Sequence, residues 1–283
     1  MDAIARPHQL YLFRPPYRLL IPVASPESLE RLGQNHVGTA VIWCMGSSAD
    51  HAFVQRLRRR PGGVSLIAIL PRAEEVGRPQ DLFGLVDQYR PLCLLPYHDN
   101  PNPLDLRTLL ASPPSDLPGA VVEYLGWRGL VFDVDLRRTI RRILELSGEV
   151  RTVSGLARGL YMSRRALGRR FLKEGLPVPS HWLQFGRVLR VALDLQAPGA
   201  TLMGTAFHHD FPDGFSLSNQ MKRLIGLRPS DVQDKLGWEW ITECWIHSEL
   251  GSEGFGRDQA RLLRRARAGV IPTVEAQDER QPA

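Results

Sequence analysis

The sequence predicts an α/β N-terminal domain with a small parallel sheet, followed by an all-α domain with two helix-turn-helix units joined by a linker helix. Three observations support this fold class. Short apolar runs alternate with segments of helical periodicity over the first 118 residues. From residue 133 onward no segment alternates polar and apolar residues for long, so we expect this part to be helical. Within it, a short helix, a turn and a second helix are predicted twice.

Four apolar runs in the N-terminal domain predict its strands. Continuous runs of this kind are typical of strands that are buried on both faces of a parallel sheet. Segments with helical spacing of apolar residues lie between and after them, as the crossovers of a parallel sheet require. The predicted strands are residues 17–23, 40–45, 64–70 and 92–95, and the predicted helices are residues 26–34, 48–60, 79–89 and 104–110.

Changes in composition predict the domain boundaries. The α/β domain spans residues 1–118 and ends in a segment rich in proline and serine. Residues 119–132 are predicted to be a linker, and residues 133–250 to form the helical domain. Residues 251–283 mix arginines with small and acidic residues and offer little apolar material, which predicts a frayed helix followed by a disordered tail.

The net charge of +6 is concentrated in one part of the chain. Residues 1–132 hold 13 lysines and arginines against 12 acidic residues, whereas residues 151–228 hold 12 against 4. This local excess implies that the helical domain binds an anionic partner.

Several classes of protein are excluded by what the sequence lacks. Cys44, Cys93 and Cys244 are scattered, which argues against a disulfide framework and a structural zinc site. No apolar run is long enough to span a bilayer, and arginines and prolines stand near the N-terminus where a signal peptide needs apolar residues, so we expect a cytoplasmic protein. A Gly-rich phosphate loop, a nucleophile elbow and paired carboxylates at a strand end are absent. We therefore expect no enzymatic activity, no cofactor and no bound metal.

The first helix-turn-helix unit begins with a short helix over residues 153–160. A turn follows, and Ser163 is placed to cap a second helix in which Leu167 and Phe171 face inward. Arginine can bond guanine O6 and N7 together and can also clamp phosphate, so the outer face of this second helix is a candidate DNA contact. That face consists of Arg164, Arg165, Gly168, Arg169 and Lys173.

The second unit has the same order of elements but is less basic. Its turn covers residues 210–212, and its second helix covers residues 215–224 with Leu217, Met221 and Leu224 inward. Asparagine and glutamine can read adenine in the major groove, so this unit is expected to contribute to specificity. Its outer face consists of Gly214, Ser216, Asn219, Gln220 and Arg223.

A single long helix is predicted between the two units. Its apolar residues fall at spacings of three and four, which indicates one continuous buried stripe. A rigid helix would fix the distance between the units, and successive major grooves on one face of DNA are ~34 Å apart. The stripe consists of Trp182, Phe185, Leu189, Ala192 and Gln196.

Two units with such a linker resemble the DNA-binding domain of the AraC/XylS family of transcription regulators, over about residues 133–238. The resemblance implies sequence-specific binding to double-stranded DNA, activation of transcription, a location on the nucleoid and contact with RNA polymerase. The family's closing Gly-x-x-Pro stands here as residues 226–229. Other matching positions are Leu156, Ala157, Ser163, Leu167, Arg170, Phe171, Gly175, Pro179, Trp182, Arg187, Ala206, Phe211, Asp213 and Leu217.

The second unit departs from the family pattern. Asp210 stands where the family usually has glycine, Asn219 replaces a frequent arginine, and Met221 replaces a frequent phenylalanine. One extra residue lies between Gly175 and Pro179. These departures affect the phosphate contacts and the turn of the second unit.

The N-terminal domain loosely resembles a response-regulator receiver. A receiver that is phosphorylated needs acidic residues after its first strand, an aspartate at the end of the central strand and a lysine after the last strand. The predicted strands are followed instead by residues 24–26, 46–47 and 96–97, which contain none of these. We therefore expect a receiver-like domain that is not phosphorylated and that serves in signal input or homodimerisation.

Some conspicuous residues have structural interpretations. Arg170 lies between two core positions and is expected to be structural, either extending its charged end to water or pairing with a carboxylate. His208 and His209 point about 100° apart if both are helical, which argues against chelation. Trp238, Trp240 and Trp245 are expected to pack the last helix of the domain. A solvated face is the expected role of Arg137, Arg138, Arg141 and Arg142.

Two other functions remain open. In the first, the helix-turn-helix units have lost DNA binding and hold a protein, so that the chain is an adaptor. In the second, the N-terminal domain is an enzyme and the helical domain is its nucleic-acid anchor.

Overall fold

The structure is a computed structural model that describes residues 10–23, 37–45, 59–72, 79–98 and 101–267, and the single positions Leu29, Leu57 and Glu74. The predicted helices over residues 26–34 and 48–60 lie almost entirely outside the described residues. So does the end of the predicted tail, residues 268–283.

A five-stranded sheet forms the N-terminal domain, which confirms the α/β class. Its strand order is β2-β1-β3-β4-β5, with β3, β4 and β5 parallel. β1 runs antiparallel to both β2 and β3, so the sheet is parallel on one side only. The strands are β1 (Leu10–Phe13), β2 (Leu20–Pro22), β3 (Ala40–Cys44), β4 (Ser65–Ile69) and β5 (Cys93–Leu95).

The edge formed by β1 and β2 differs from the predicted receiver-like sheet. The strand order is the one found in receiver and flavodoxin folds, but there a helix connects the first two strands and keeps them parallel. Here residues 14–19 alone separate β1 from β2. Such a short connection permits an antiparallel hairpin but not a parallel pair. β1 was not predicted because it has only four residues, and Arg14 and two prolines follow it directly and interrupt the apolar run.

The two faces of the sheet bury alternate residues of the same strands. Val41 and Leu66 belong to one core, and Ile42 and Ile67 belong to the core on the opposite face. This alternation is the period of two that an extended chain imposes. Helix α1 (Pro79–Tyr89) buries its last residue in the first core, and α2 (Pro103–Ala111) covers the second with Leu106 and Leu110.

The rest of the described chain is helical and shares one hydrophobic core. This confirms the predicted all-α second domain. Among the described helices, none is long and apolar enough to cross a membrane. The helices are α3 (Leu117–Trp127), α4 (Val134–Leu146), α5 (Val153–Gly159), α6 (Arg164–Lys173), α7 (Pro179–Gln196), α8 (Leu202–His208), α9 (Gly214–Ile225), α10 (Pro229–Gln233), α11 (Glu239–Gly251) and α12 (Arg257–Arg267).

Parts of the predicted linker and of the predicted tail are helices that pack on the core. Residues 119–132 belong mostly to α3, and Val121 and Leu125 are buried in the helical core. Residues 257–267 form α12, which buries Leu263 together with the preceding Phe255. A few apolar residues on one helix face therefore fold this part of the predicted tail, because the adjoining helices already provide a core.

A buried ion pair in the helical domain is linked by a hydrogen bond to the sheet side of the molecule. Arg128, just after α3, donates to both carboxylate oxygens of Glu243 on α11, and the second of these bonds is 3.0 Å long. Tyr124 donates to the same carboxylate at 2.7 Å and accepts from the amide of Gly63 before β4, also at 2.7 Å. The Arg128 and Glu243 side chains are only 2% and 8% exposed, so neither charge is solvated by water.

A second buried pair lies beside the first. Arg90 follows α1 and contacts the Glu239 carboxylate at 2.6 Å and the carbonyl of Ala120 at 3.0 Å. Arg60, which is fully buried, donates to the carbonyls of Tyr89 and Arg90 and covers the ring of Trp127. Burying a charged group is costly unless ion pairs or hydrogen bonds of this kind replace its contacts with water.

A third contact fixes the other end of the junction. The hydroxyl of Tyr17 donates to the carbonyl of Gly38 at 2.6 Å and accepts from the amide of Leu236 at 2.7 Å. Leu236 itself is buried in the core beneath the sheet. Burial raises the pKa of the Tyr17 phenol, which keeps this hydroxyl protonated and able to donate.

We predict that Glu243→Leu lowers the free energy of unfolding by about 3–5 kcal/mol, because it leaves the Arg128 charge buried without a partner. The double substitution Arg128→Met with Glu243→Leu removes both charges and should cost much less. Urea unfolding followed by tryptophan fluorescence measures both. Equal costs for the single and the double variant would contradict the pairing.

Candidate nucleic-acid interface

Helices α5 and α6 form the first helix-turn-helix unit. The Thr152 hydroxyl caps α5 and the Ser163 hydroxyl caps α6, each accepting from an amide three residues later at 3.1 Å. Tyr161 makes the turn in the left-handed region, with φ of 54°. Leu167 and Phe171 are fully buried. The predicted cap and inward face of α6 are therefore confirmed.

The second unit, α8 and α9, repeats this geometry. The Thr201 hydroxyl caps α8, and Asp210 occupies the turn position of Tyr161 with the same φ of 54°. Aspartate tolerates this conformation better than most residues, which explains how the turn forms without a glycine. Asp213 caps α9, and the amide of Ser216, 2.6 Å away, lowers the pKa of this carboxyl group.

The closing hydrogen bonds of the two turns are also equivalent. The amide of Met162 donates to the carbonyl of Ala157 at 2.9 Å, and the amide of Phe211 donates to that of Ala206 at 2.8 Å. Pro212 is the one additional residue before the cap of α9. The two units are thus copies of one local fold, although few of their residues are identical.

The linker helix α7 passes between the units and carries the core. Every predicted residue of its apolar stripe is buried. The ring of Trp245 on α11 stacks on Phe185 with centroids 4.3 Å apart and lies against Trp182 at 4.7 Å. Trp238 and Trp240 are also buried, so the three tryptophans have the predicted packing role.

The outer face of α6 is exposed and positively charged. Arg164, Arg165, Arg169 and Lys173 are all exposed, and none of them forms an ion pair with a residue that the structure describes. Gly168 lies among them on the same helix and has no heavy atom within 4 Å of where a Cβ would stand. The structure therefore brings all five predicted residues of this face together at one surface.

Two other groups of arginines form ion pairs, whereas a solvated face was predicted for those of α4. Arg170 turns away from this face, with its guanidinium 3.6 Å from the Asp133 carboxylate at the start of α4. On α4, Arg141 contacts Asp116 and Glu145, and Arg142 contacts Glu145 at 2.9 Å. The charge of α4 is thus partly neutralised, whereas that of α6 is not.

The outer face of α9 agrees only in part with the prediction. Asn219 and Arg223 are exposed, and Ser216 and Gln220 are half-buried. Gly214 is buried, and a Cβ there would lie 3.0 Å from a carbon of Leu202. Gly214 is therefore a packing position between α8 and α9, and its role as a DNA contact stays a prediction.

Sequence reasoning missed two residues on this part of the second unit. Phe215 is 75% exposed at the position equivalent to Arg165, and Lys222 is exposed near the end of α9. Phe207 on α8 is also 61% exposed. An alignment of the two units by their caps would have located Phe215, because the caps fix the register of both helices.

A second basic surface was missed because it lies in the predicted tail. Helix α12 docks at the end of α6, where the amide of Gly256 donates to the carbonyl of Gly175 at 2.8 Å. The side-chain amide of Gln259 donates to the carbonyl of Glu174 at 3.3 Å. An open groove of about 690 Å³ runs along α12 and is lined by Arg257, Arg261, Arg264 and Arg265.

Comparisons with known proteins identify no family for this chain. No protein-family model matches its sequence. No curated protein is similar to it at a significant level. The relation to AraC-type regulators therefore remains a resemblance carried by the residues of the two units.

We predict opposite effects for two glycines within helices. Gly186→Ala should lower the free energy of unfolding by about 1–3 kcal/mol, because the new Cβ would lie 2.4 Å from the Ser147 hydroxyl where α7 crosses α4. Gly168→Ala is the matched control and should raise it by about 0.5–1 kcal/mol, because the site is open and alanine favours helix. Chemical unfolding measures both, and equal shifts would contradict the close crossing of α4 and α7.

Proposed function

We propose that this protein is a transcription regulator that binds double-stranded DNA in a sequence-specific manner through α6 and α9. The observation that carries the proposal is the unpaired arginine face at the start of α6, displayed by a short capped helix and a tight turn. In helix-turn-helix proteins the N-terminal residues of the second helix reach the base edges in the major groove.

Helix electrostatics support a role in binding rather than in folding. The N-terminus of a helix carries a partial positive charge that favours acidic residues in the first turn. α6 has no acidic residue there and begins instead with Arg164 and Arg165. This arrangement opposes helix stability and concentrates positive charge on one surface, which suits an anionic partner such as the phosphate backbone.

The two units have different parts in the proposal. α6 supplies most of the charge, and its arginines suit guanine and phosphate. α9 supplies Asn219 and Gln220, whose amides suit adenine, and Arg223 and Lys222 for phosphates. Because α7 packs against both units and against α11, one rigid core holds α6 and α9, the two helices proposed to contact DNA.

The N-terminal sheet is proposed to mediate homodimerisation or signal input. Within the described residues, β2 and β5 are the edges of the sheet, and edge strands can pair with a second chain. Contact with RNA polymerase is also part of the proposal. No catalytic step is assigned to the sheet.

A second candidate function is supported by a specific observation. Phe207 and Phe215 are exposed on the second unit, which has fewer basic residues than the first. Exposed aromatic side chains often contact protein partners. In this adaptor hypothesis the helix-turn-helix units no longer bind DNA, and the second unit binds a protein through these exposed side chains.

We predict that the double substitution Arg164→Ala with Arg165→Ala abolishes selective binding to the duplex that the wild-type protein enriches most from a randomised pool. Arg137→Ala with Arg138→Ala is the matched control, since it removes the same charge from the exposed face of α4. Fluorescence anisotropy at several salt concentrations measures both. The slope of log affinity against log salt should become shallower by about one per lost phosphate contact.

Equal losses in the two double variants would indicate general charge attraction and would contradict the placement of the reading surface on α6. A wild-type protein that enriches no duplex would favour the adaptor hypothesis.

We predict that Asn219→Ala with Gln220→Ala weakens discrimination at particular base pairs of the enriched duplex by about 1–3 kcal/mol. Arg223→Ala is the control and should weaken binding to all duplexes uniformly. Competition with single-base variants of the duplex measures the difference. Uniform loss in both variants would contradict base reading by α9.

A further inference from the structure

Three metal-ligating side chains meet at the junction of α7 and the second unit. The Nε2 atom of His209 lies 2.7 Å from Oδ2 of Asp194, and the Nε2 atom of His208 lies 3.7 Å from the same oxygen. All three ligand atoms lie within 4.8 Å of one another. Two imidazole nitrogens and a carboxylate oxygen thus lie close together.

This convergence corrects the sequence argument against chelation. The 100° angle applies when both residues are helical, but α8 ends at His208, and His209 is a cap residue with φ of −100° and ψ of 18°. The two rings stand nearly perpendicular with centroids 5.0 Å apart. The third residue, Asp194, lies on α7 and could not be associated with the histidines from sequence spacing.

We propose that Asp194, His208 and His209 form a binding site for one divalent transition-metal ion, with Zn²⁺ best matched to the donor set. Two imidazoles and one carboxylate are a common protein ligand set for Zn²⁺, and water completes the tetrahedron. Ligand atoms of a tetrahedral site with bonds of 2.0–2.1 Å are roughly 3.3 Å apart. The present separations therefore need only small changes, and the exposed His208 ring is free to make them.

The ligand role specifies which ring nitrogen of His209 carries the proton. A neutral imidazole is the form that binds metal. On metal binding the ring proton of His209 would reside on Nδ1, and its Nε2 atom would bond the ion in place of its hydrogen bond to Asp194.

The surroundings of the site also limit its affinity. Arg187 donates to the carbonyl of His209 at 3.3 Å, and its positive charge opposes a cation. The other nearby cation, Arg151, is paired with the Asp210 carboxylate. The His208 side chain is 74% exposed, which gives the ion and its water ligand access from solvent.

An ion at this point would join the end of α7 to the end of α8. The ion would lie directly before the turn of the second unit, which begins at Asp210. The ion would therefore stabilise the orientation of the second unit on the linker helix, independently of any activity of that unit.

Titration of the metal-free full chain, carrying no affinity-tag histidines, with Co²⁺ tests the proposal. Tetrahedral Co²⁺ absorbs visible light, and we expect saturable absorption at one equivalent that Zn²⁺ displaces. His208→Ala and Asp194→Asn should each abolish it. Both substituted side chains are at least 47% exposed, so these variants should fold.

His181→Ala is the matched control, because His181 also contacts a carboxylate, that of Glu249 at 3.0 Å, but has no described third ligand. It should retain the absorption. Zn²⁺ should raise Tm for the wild type and for His181→Ala, and should not do so for His208→Ala. Absence of saturable binding in the wild type would overturn the proposal, as would binding by Asp194→Asn and His208→Ala equal to that of the wild type. These measurements use no DNA, so their outcome is independent of the proposed function.

Discussion

The arrangement of the molecule depends on the hydrogen bonds that the buried carboxylate of Glu243 accepts. This carboxylate accepts from Arg128 and Tyr124, and Tyr124 in turn accepts from the amide of Gly63 before β4. A charge that is shielded from water must keep its partners, so α3, α11 and the loop before β4 are held in one geometry. The connection between the sheet and the helical domain is therefore a packed junction, and α3 does not act as a free linker.

This constraint extends from the junction to the proposed reading surface through a continuous core. α11 places Trp245 against Phe185 and Trp182 of α7. α7 in turn packs against the inward faces of both helix-turn-helix units. The outer face of α6 is consequently displayed on a rigid support, and its arginines are left without carboxylate partners among the described residues. Structural stability is supplied by the buried side of these helices, which leaves the exposed side free for binding.

The sequence predicted the features that follow from local periodicity and capping. The apolar stripe of α7, the cap at Ser163 and the inward pair Leu167 and Phe171 each depend on residues close in the chain, and all are confirmed. The features it missed depend on distant residues. The direction of β1 is set by a hairpin that prolines obscured, Gly214 is buried only because α8 lies against it, and Asp194 reaches His208 and His209 only through the fold. Residues 251–267 fold because a core from other helices is already present.

The central claim is that two linked helices of one chain read adjacent stretches of duplex DNA. The most direct test is to sequence the duplexes that the full-length protein selects from a randomised pool and to measure the spacing within the enriched motif. For two units held in successive major grooves we expect two half-sites with centres about 10–10.5 base pairs apart. One half-site should be richer in guanine and the other in adenine. A single short motif, or no enrichment above the starting pool, would contradict the claim.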